Sequence, residues 1–291
     1  MTQLTIIGLG LIGGSIALAL KQRSFSGRIL AYDAHSESLQ TAIASKCIDE
    51  ATTDIGVAVQ KADYIIIAVP LTAYKTIFRA IRSHLQPHTI ITDVGSVKTS
   101  VIDLAQQELG DAFPRFVPGH PIAGIEKSGI SAASADLFQD KLVILNPTPL
   151  TNAQAVTGIK QLWEKTGAQV EQMDASVHDK MLAATSHLPQ MLAYTYLQTL
   201  LPHKDFPQLL KYAGSGFKDF TRIAASNPAL WVGIALNNRD ALLQELKQFR
   251  QHLDELANIL TAGNDSALQS FFSTAKLARE QFDSLTTQPT K

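Results

Sequence analysis

Leu4-Thr5-Ile6-Ile7-Gly8-Leu9-Gly10-Leu11-Ile12-Gly13 opens the chain, and its reading decides the fold. A short β-branched run leads straight into G-x-G-x-x-G, and Gly14 to Gln22 continues with helical spacing. Strand, glycine turn and helix in that order are the context a dinucleotide site requires. Each glycine has its own task. Gly8 permits the tight turn, Gly10 lets the backbone approach a pyrophosphate, and Gly13 lets the helix pack closely on the strand. The helix N-terminus offers free N–H groups and the positive end of its dipole to the phosphates, with Leu9, Leu11 and Ile12 completing the turn. Asp33 lies 20 residues beyond Gly13, at the end of the second β-branched run, Arg28–Tyr32. A carboxylate there binds the adenosine ribose hydroxyls and repels a 2′-phosphate, so NAD is favoured over NADP. His35 nearby weakens that preference.

Further strand-like runs follow at Tyr64–Val69, Thr89–Asp93, Phe116–Val117, Leu142–Leu145 and Gln169–Met173. Several, such as Ile65–Val69, are apolar throughout, which marks strands covered on both faces of a parallel sheet. Leu71–His84, Val97–Glu108 and Asn152–Thr166 read as crossover helices. The expectation for residues 1–173 is therefore an α/β domain, a Rossmann-like doubly wound sheet that binds the dinucleotide. Beyond Met173 the strand signals stop. Residues 174–291 read as an all-helical substrate and dimerisation domain, punctuated by Pro189, Pro202, Pro207, Gly214-Ser215-Gly216 and Pro228. Leu242, Leu246, Phe249, Leu253, Leu256 and Leu260 alternate spacings of 4 and 3, a seam that packs along another helix. An intramolecular bundle and a dimer interface fit that seam equally.

Composition narrows the function classes. The 291 residues are 45% hydrophobic, enough to bury ordinary cores for roughly two domains. Lys plus Arg number 25 against 26 Asp plus Glu, and this net charge of −1 excludes whole-protein attraction to nucleic acid or an anionic membrane. The single Cys47 cannot form an internal disulfide. No signal peptide is expected ahead of Leu4, and no apolar run approaches the ~20 residues needed to span a bilayer. The expectation is a cytoplasmic protein. One cysteine and scattered histidines give no metal-site spacing.

Ligands of doubly wound sheets sit beyond the carboxyl ends of the strands. Val69-Pro70 ends the third strand, Asp93-Val94-Gly95-Ser96-Val97-Lys98 ends the fourth, and Gly119-His120-Pro121 follows the fifth. Val69 and Pro70 thus join the cofactor residues, and Ser96 and His120 could converge beside a nicotinamide. Histidine is suited to taking a proton near neutral pH, with activity expected to fall near its ordinary pKa of about 6.5. A loop histidine also serves as a structural hydrogen-bonder, and spacing does not choose between the two. The helical half offers His178, Ser186, His187 and Arg222. Pro189 should distort its helix around Ser186-His187, a candidate site wall. Arg222 could clamp a carboxylate through two N–H groups or pair with Asp219.

The ordered blocks Gly8–Gly13, Thr92–Lys98, Gly119-His120-Pro121-Ile122-Ala123-Gly124-Ile125-Glu126-Lys127-Ser128-Gly129, Thr185-Ser186-His187-Leu188-Pro189 and Gly216–Arg222 together resemble the prephenate/arogenate dehydrogenases of tyrosine biosynthesis. The resemblance runs nearly the whole chain. It implies NAD-dependent oxidation of a ring carbinol coupled to decarboxylation, which turns prephenate into 4-hydroxyphenylpyruvate. It further implies His120 as acceptor of the hydroxyl proton, Ser96 bonded to the same hydroxyl, Arg222 as carboxylate clamp, and His187 with Ser186 in the pocket wall. Glu126 is implied as a gating ionic contact at the entrance. Many prephenate-using members read Ser-His-Leu-Pro-His, whereas this chain has Gln190, so arogenate stays open as a substrate. The resemblance also implies a homodimer through the helical half. Two other readings remain: a β-hydroxyacid-type dehydrogenase with Lys180 or Lys211 carrying the proton, and a non-catalytic NAD-sensing dimer. Neither lysine sits in a matching motif, and Ser96, His120 and Arg222 together argue against a dead site.

Overall fold

Alternation along the first strands builds a two-faced sheet in the computed structural model, which describes residues 2–125 and 127–286. β1 (Gln3–Ile7), β2 (Arg28–Tyr32), β3 (Glu50–Thr52), β4 (Tyr64–Ile67), β5 (Ile90–Asp93) and β6 (Phe116–Val117) pair in the order β3-β2-β1-β4-β5-β6, all parallel. Leu4, Ile6, Ile29, Ala31, Ile66 and Val117 face one layer with Ile16, Leu20 and Trp163. Their sequence neighbours Ile7, Leu30, Ile65, Ile67 and Phe116 face the other, with Tyr74, Phe78 and Val101. A side-chain period of two sends successive residues to opposite faces, so a strand covered on both sides must be apolar throughout. Each large side chain withdrawn in this way contributes about 1.5–3 kcal/mol. The covering helices are α1 (Leu11–Gln22), α2 (Ser36–Ala44), α3 (Ile55–Val59), α4 (Tyr74–Arg82), α5 (Thr99–Leu109) and α6 (Ala153–Glu164). Strand order reverses between β1 and β4, which opens the crevice at their carboxyl ends.

The single parallel sheet expected through residue 173 stops at Val117. β7 (Gly119–Pro121), β8 (Leu142–Leu145) and β9 (Gln169–Gln172) form a separate sheet, β7 antiparallel to β8 and β8 parallel to β9. Pro118, between β6 and β7, has no N–H to extend a ladder, and the chain leaves the large sheet there. His120 consequently lies in a strand, opposite Ile144, and not in a loop. β3 gave no usable signal because it has only three residues, two of them polar.

The regular elements described after Gln172 are all helical: α7 (Ala175–Leu182), a π-helical turn at Ala183–His187, α8 (Leu188–Leu200), α9 (Phe206–Leu209), α10 (Ser215–Thr221), α11 (Pro228–Asn237), α12 (Arg239–Ala262) and α13 (Asp265–Thr286), with 3₁₀ turns at Leu210–Tyr212 and Arg222–Ala225. By its internal contacts the chain divides into residues 1–241 and 242–291. In the second unit Leu253 and Leu260 of the seam, with Phe272 and Leu277 of α13, are half-exposed or more. Among the described residues no helix is long and apolar enough to cross a membrane.

Candidate active site

The glycine turn is shaped as its motif requires. Gly8 has φ +98°, and a Cβ on it would stand 2.6 Å from the Ala68 oxygen and 2.9 Å from Val69 Cγ1. A Cβ on Gly13 would collide with the Gly8 carbonyl oxygen. Gly10 is the opposite case: nothing lies within 4 Å of the Cβ position, so its backbone is open to an approaching group. Gly10 is also the N-cap of α1, and no side chain caps that end. The first amides of the helix therefore keep free N–H groups for an anion. Asp33 closes the turn from the β2 side, its Oδ2 accepting from the Leu9 N–H and its Oδ1 from the His35 N–H, both at 2.8 Å. Leu9 is buried, Leu11, Ile12 and Val69 half-buried, and Pro70 exposed. An open glycine, an uncapped helix end and a carboxylate at the tip of β2 fit a dinucleotide.

A buried carboxylate joins the next two site segments. Asp93, at the end of β5, accepts from Gly95 N–H (2.8 Å), Gly119 N–H (3.0 Å), Tyr74 Oη (3.0 Å) and Lys98 Nζ (2.6 Å). Lys98 also donates to the Gly119 carbonyl at 2.7 Å, and both charges are fully buried. Burial lowers the Lys98 pKa, and Asp93 opposes that shift. One carboxylate thus pins the turn that carries Ser96 and the strand that carries His120. Ser96 itself is half-buried.

His120 is 8% exposed. Its Nδ1 lies 2.9 Å from His178 Nε2, and His178 Nδ1 lies 2.8 Å from Asp179 Oδ1. Burial, then the charge of Lys98 and the neighbouring His178 and His187, push the His120 pKa well below its ordinary value. An acid limb carried by His120 is then expected below 6.5 and not near it. The reason is that a buried imidazole beside a lysine resists a second positive charge.

His187 ends the π-helical turn, so the distortion expected from Pro189 takes the form of one widened turn. Asn238 Nδ2 donates to the Asp179 carbonyl at 2.8 Å and reaches His187 Nδ1 at 3.0 Å. A carbonyl only accepts, so that amide atom is nitrogen and His187 Nδ1 must be the acceptor. Burial holds the His187 pKa at about 4. The neutral ring then carries its proton on Nε2, which is buried without a partner among the described residues.

Ser186 is half-buried beside His187. Gln190 is buried, and its Nε2 donates to the Ile223 carbonyl at 2.8 Å, tying α8 to the turn that carries Arg222. Arg222 is exposed at the start of the 3₁₀ turn Arg222–Ala225. Glu126 lies outside the described residues. The structure adds Asp179 and Asn238, which sequence reasoning passed over, and gives partners to Lys98 and His178. Asp179 precedes a lysine in an ordinary helical stretch, and Asn238 begins no motif, so neither carried a local signal.

Two family models match, described as prephenate dehydrogenase, nucleotide-binding domain, over residues 16–172, and prephenate dehydrogenase, dimerization domain, over residues 174–274. The chain is 38% identical to the cyclohexadienyl dehydrogenase of Zymomonas mobilis, over 95% of this chain and 94% of that one. It is 35% identical to the prephenate dehydrogenase of Bacillus subtilis, over 94% of this chain and 74% of that one. Among solved structures, prephenate dehydrogenase from Aquifex aeolicus in complex with hydroxyphenyl propionate and NAD+ superposes with a TM-score of 0.90. The two share 34% identity over 97% of this chain and 98% of that one. Synechocystis arogenate dehydrogenase gives a TM-score of 0.82 at 30% identity, over 97% of this chain and all of that one.

Proposed function

We propose, from the premise that the chain belongs to the prephenate dehydrogenase family, that it catalyses the NAD-dependent oxidative decarboxylation of prephenate to 4-hydroxyphenylpyruvate in tyrosine biosynthesis. One observation carries the assignment of roles: a buried, neutral His120 held through Gly119 to the carboxylate that also holds the Ser96 turn. Gly8, Leu9, Gly10, Leu11, Ile12, Gly13, Asp33, Val69 and Pro70 hold NAD, which when bound supplies the hydride acceptor. His120 takes the proton of the ring hydroxyl, and Ser96 hydrogen-bonds the same oxygen. Once the carbinol carbon is oxidised, the ring loses carbon dioxide because a phenol results. Arg222 clamps a substrate carboxylate, with Ser186 and His187 forming the wall, His187 as a donor through Nε2. Glu126 keeps its role as an entrance contact on the strength of the resemblance.

Gln190 favours arogenate as a second substrate. One of its two amide N–H groups is directed at the Ile223 carbonyl, which fixes the amide, and Oε1 is an acceptor suited to an ammonium group. Cofactor binding falls to residues 1–173, and residues 174–291 enclose the substrate and pair two copies of the chain, Leu253 and Leu260 lying at the interface. Initial rates of NADH formation with prephenate, arogenate and a 3-hydroxy acid, measured in parallel, test the reading. Prephenate should turn over, arogenate more slowly, and the 3-hydroxy acid not at all. Faster turnover of the 3-hydroxy acid would overturn the substrate reading.

A further inference from the structure

We propose that His178 and Asp179 are positioning residues that decide which nitrogen of His120 is free to take a proton. The proposal rests on the reading of His120 as the base. Three N–H groups converge on the Asp179 carboxylate: Lys98 N at 2.8 Å and His178 Nδ1 at 2.8 Å on Oδ1, and Thr99 N at 2.8 Å on Oδ2. Burial alone would raise the Asp179 pKa, but hydrogen bonds from His178, Thr99 and Lys98 outweigh it and hold the carboxyl below its ordinary value. An ionised carboxylate only accepts, so His178 carries a proton on Nδ1.

With one proton on each ring, the rest follows from geometry. His178 Nε2 is then bare and accepts from His120 Nδ1 across 2.9 Å, with the two rings edge to face at 70°. His120 Nε2 is left with the lone pair. It is also the nitrogen of His120 to which no described protein group bonds. In the other tautomer the lone pairs of His120 Nδ1 and His178 Nε2 would face each other between two buried residues. His178 is fully buried, so solvent does not compete for its nitrogens.

The arrangement also answers an electrostatic difficulty. When the substrate O–H bond breaks, its proton goes to His120 Nε2, the hydride leaves for NAD, and His120 becomes an imidazolium. Lys98 disfavours that charge. The Nδ1–H of the imidazolium then strengthens its bond to His178 Nε2, and the charge faces the Asp179 anion across one ring. In the serine-protease triad an aspartate touches the base directly, and losing it costs about 10⁴-fold through the wrong tautomer. Here one more ring stands between them.

Nitrogen-15 NMR of the full chain with NAD bound, labelled at histidine, reads the protonated nitrogen of each ring. His120 should carry its proton on Nδ1. In His178→Leu that signature should become a mixture of tautomers, and kcat should fall about 10²-fold, the lower end of what general-base catalysis supplies. KM for both NAD and prephenate should hold. His178→Gln offers Oε1 to His120 Nδ1 and should recover most of the lost kcat, which a residue serving only as filler would not require. A proton on His120 Nε2 in the unsubstituted protein overturns the proposal even if His178→Leu fails to fold. So does wild-type kcat in a folded His178→Leu, or a glutamine variant no better than leucine. Lack of prephenate turnover by the unsubstituted enzyme would sink the functional reading instead, and the tautomer signals would stand apart from it.

Discussion

Two buried polar clusters lie on the junction between β5 and β7, and they are built differently. Around Asp93 the carboxylate takes up two backbone N–H groups, a phenol and Lys98, and Lys98 also reaches a carbonyl. Around Asp179 the bonds run outward through His178 to His120 and through Asn238 to His187, and both chains end on an Nε2 with no described protein partner. A buried polar group left unbonded costs roughly 1–3 kcal/mol, so a cluster that serves only the fold has reason to close on itself. A cluster meant to meet a ligand must stay open at one end. On the proposed reading, saturation therefore distinguishes the scaffold from the reactive site although both are buried.

The widest gap between the clusters should come from His120→Asn. It should lower kcat by about 10²–10⁴-fold, the usual scale of general-base catalysis, with the melting temperature nearly unchanged. Near-normal kcat would mean that the open end of the chain is not the base. Lys98→Met should do the reverse. Removing one partner of a buried pair strands Asp93 and costs about 3–5 kcal/mol in urea unfolding. A loss under about 1 kcal/mol would show that the Asp93 cluster is not the scaffold it resembles.

Arg222 belongs to neither cluster. Arg222→Ala should cost about 2–4 kcal/mol in kcat/KM for prephenate, the range for losing one partner of a desolvated charge pair, and leave NAD affinity intact. Equal loss of NAD binding would make it a structural residue.

The pH dependence is a further effect, and its sign is informative. A base works unprotonated, so if His120 is that base its pKa, pushed down by burial, should put the acid limb well below 6.5. Stability moves the other way. His187 titrates at about 4 in the folded chain against 6.5 for an ordinary histidine, so the unfolded chain binds the proton first. Stability is then lost as pH falls from 6.5 toward 4, by on the order of 3 kcal/mol at about 1.4 per pH unit. A rate profile with its limb at 6.5, or flat urea midpoints across that window, would place these imidazoles in a wetter setting.

Much of the fold was legible because it depends on neighbours in sequence. The glycine spacing, the carboxylate at the tip of β2 and the wholly apolar strands report turn geometry and two-sided burial within a few residues of chain. Pro189 announced a distorted helix for the same reason, since a missing N–H acts one turn away. The second sheet was harder to read. Leu142–Leu145 is as apolar as any strand of the first, and nothing in its pattern says which partner it will take. His120 was legible as a residue type but not as an imidazole with a defined free nitrogen. That property depends on His178, 58 positions away, and then on the adjacent Asp179, while the proton of His187 depends on Asn238, 51 positions away. Sequence by itself determined the cofactor turn, the α/β half and the helical half, because periodicity and turn chemistry act over a few residues. Only the tertiary structure decided which imidazole nitrogens carry protons and how far burial lowers their affinity for one, because both depend on atoms that the folded chain alone brings within 3 Å.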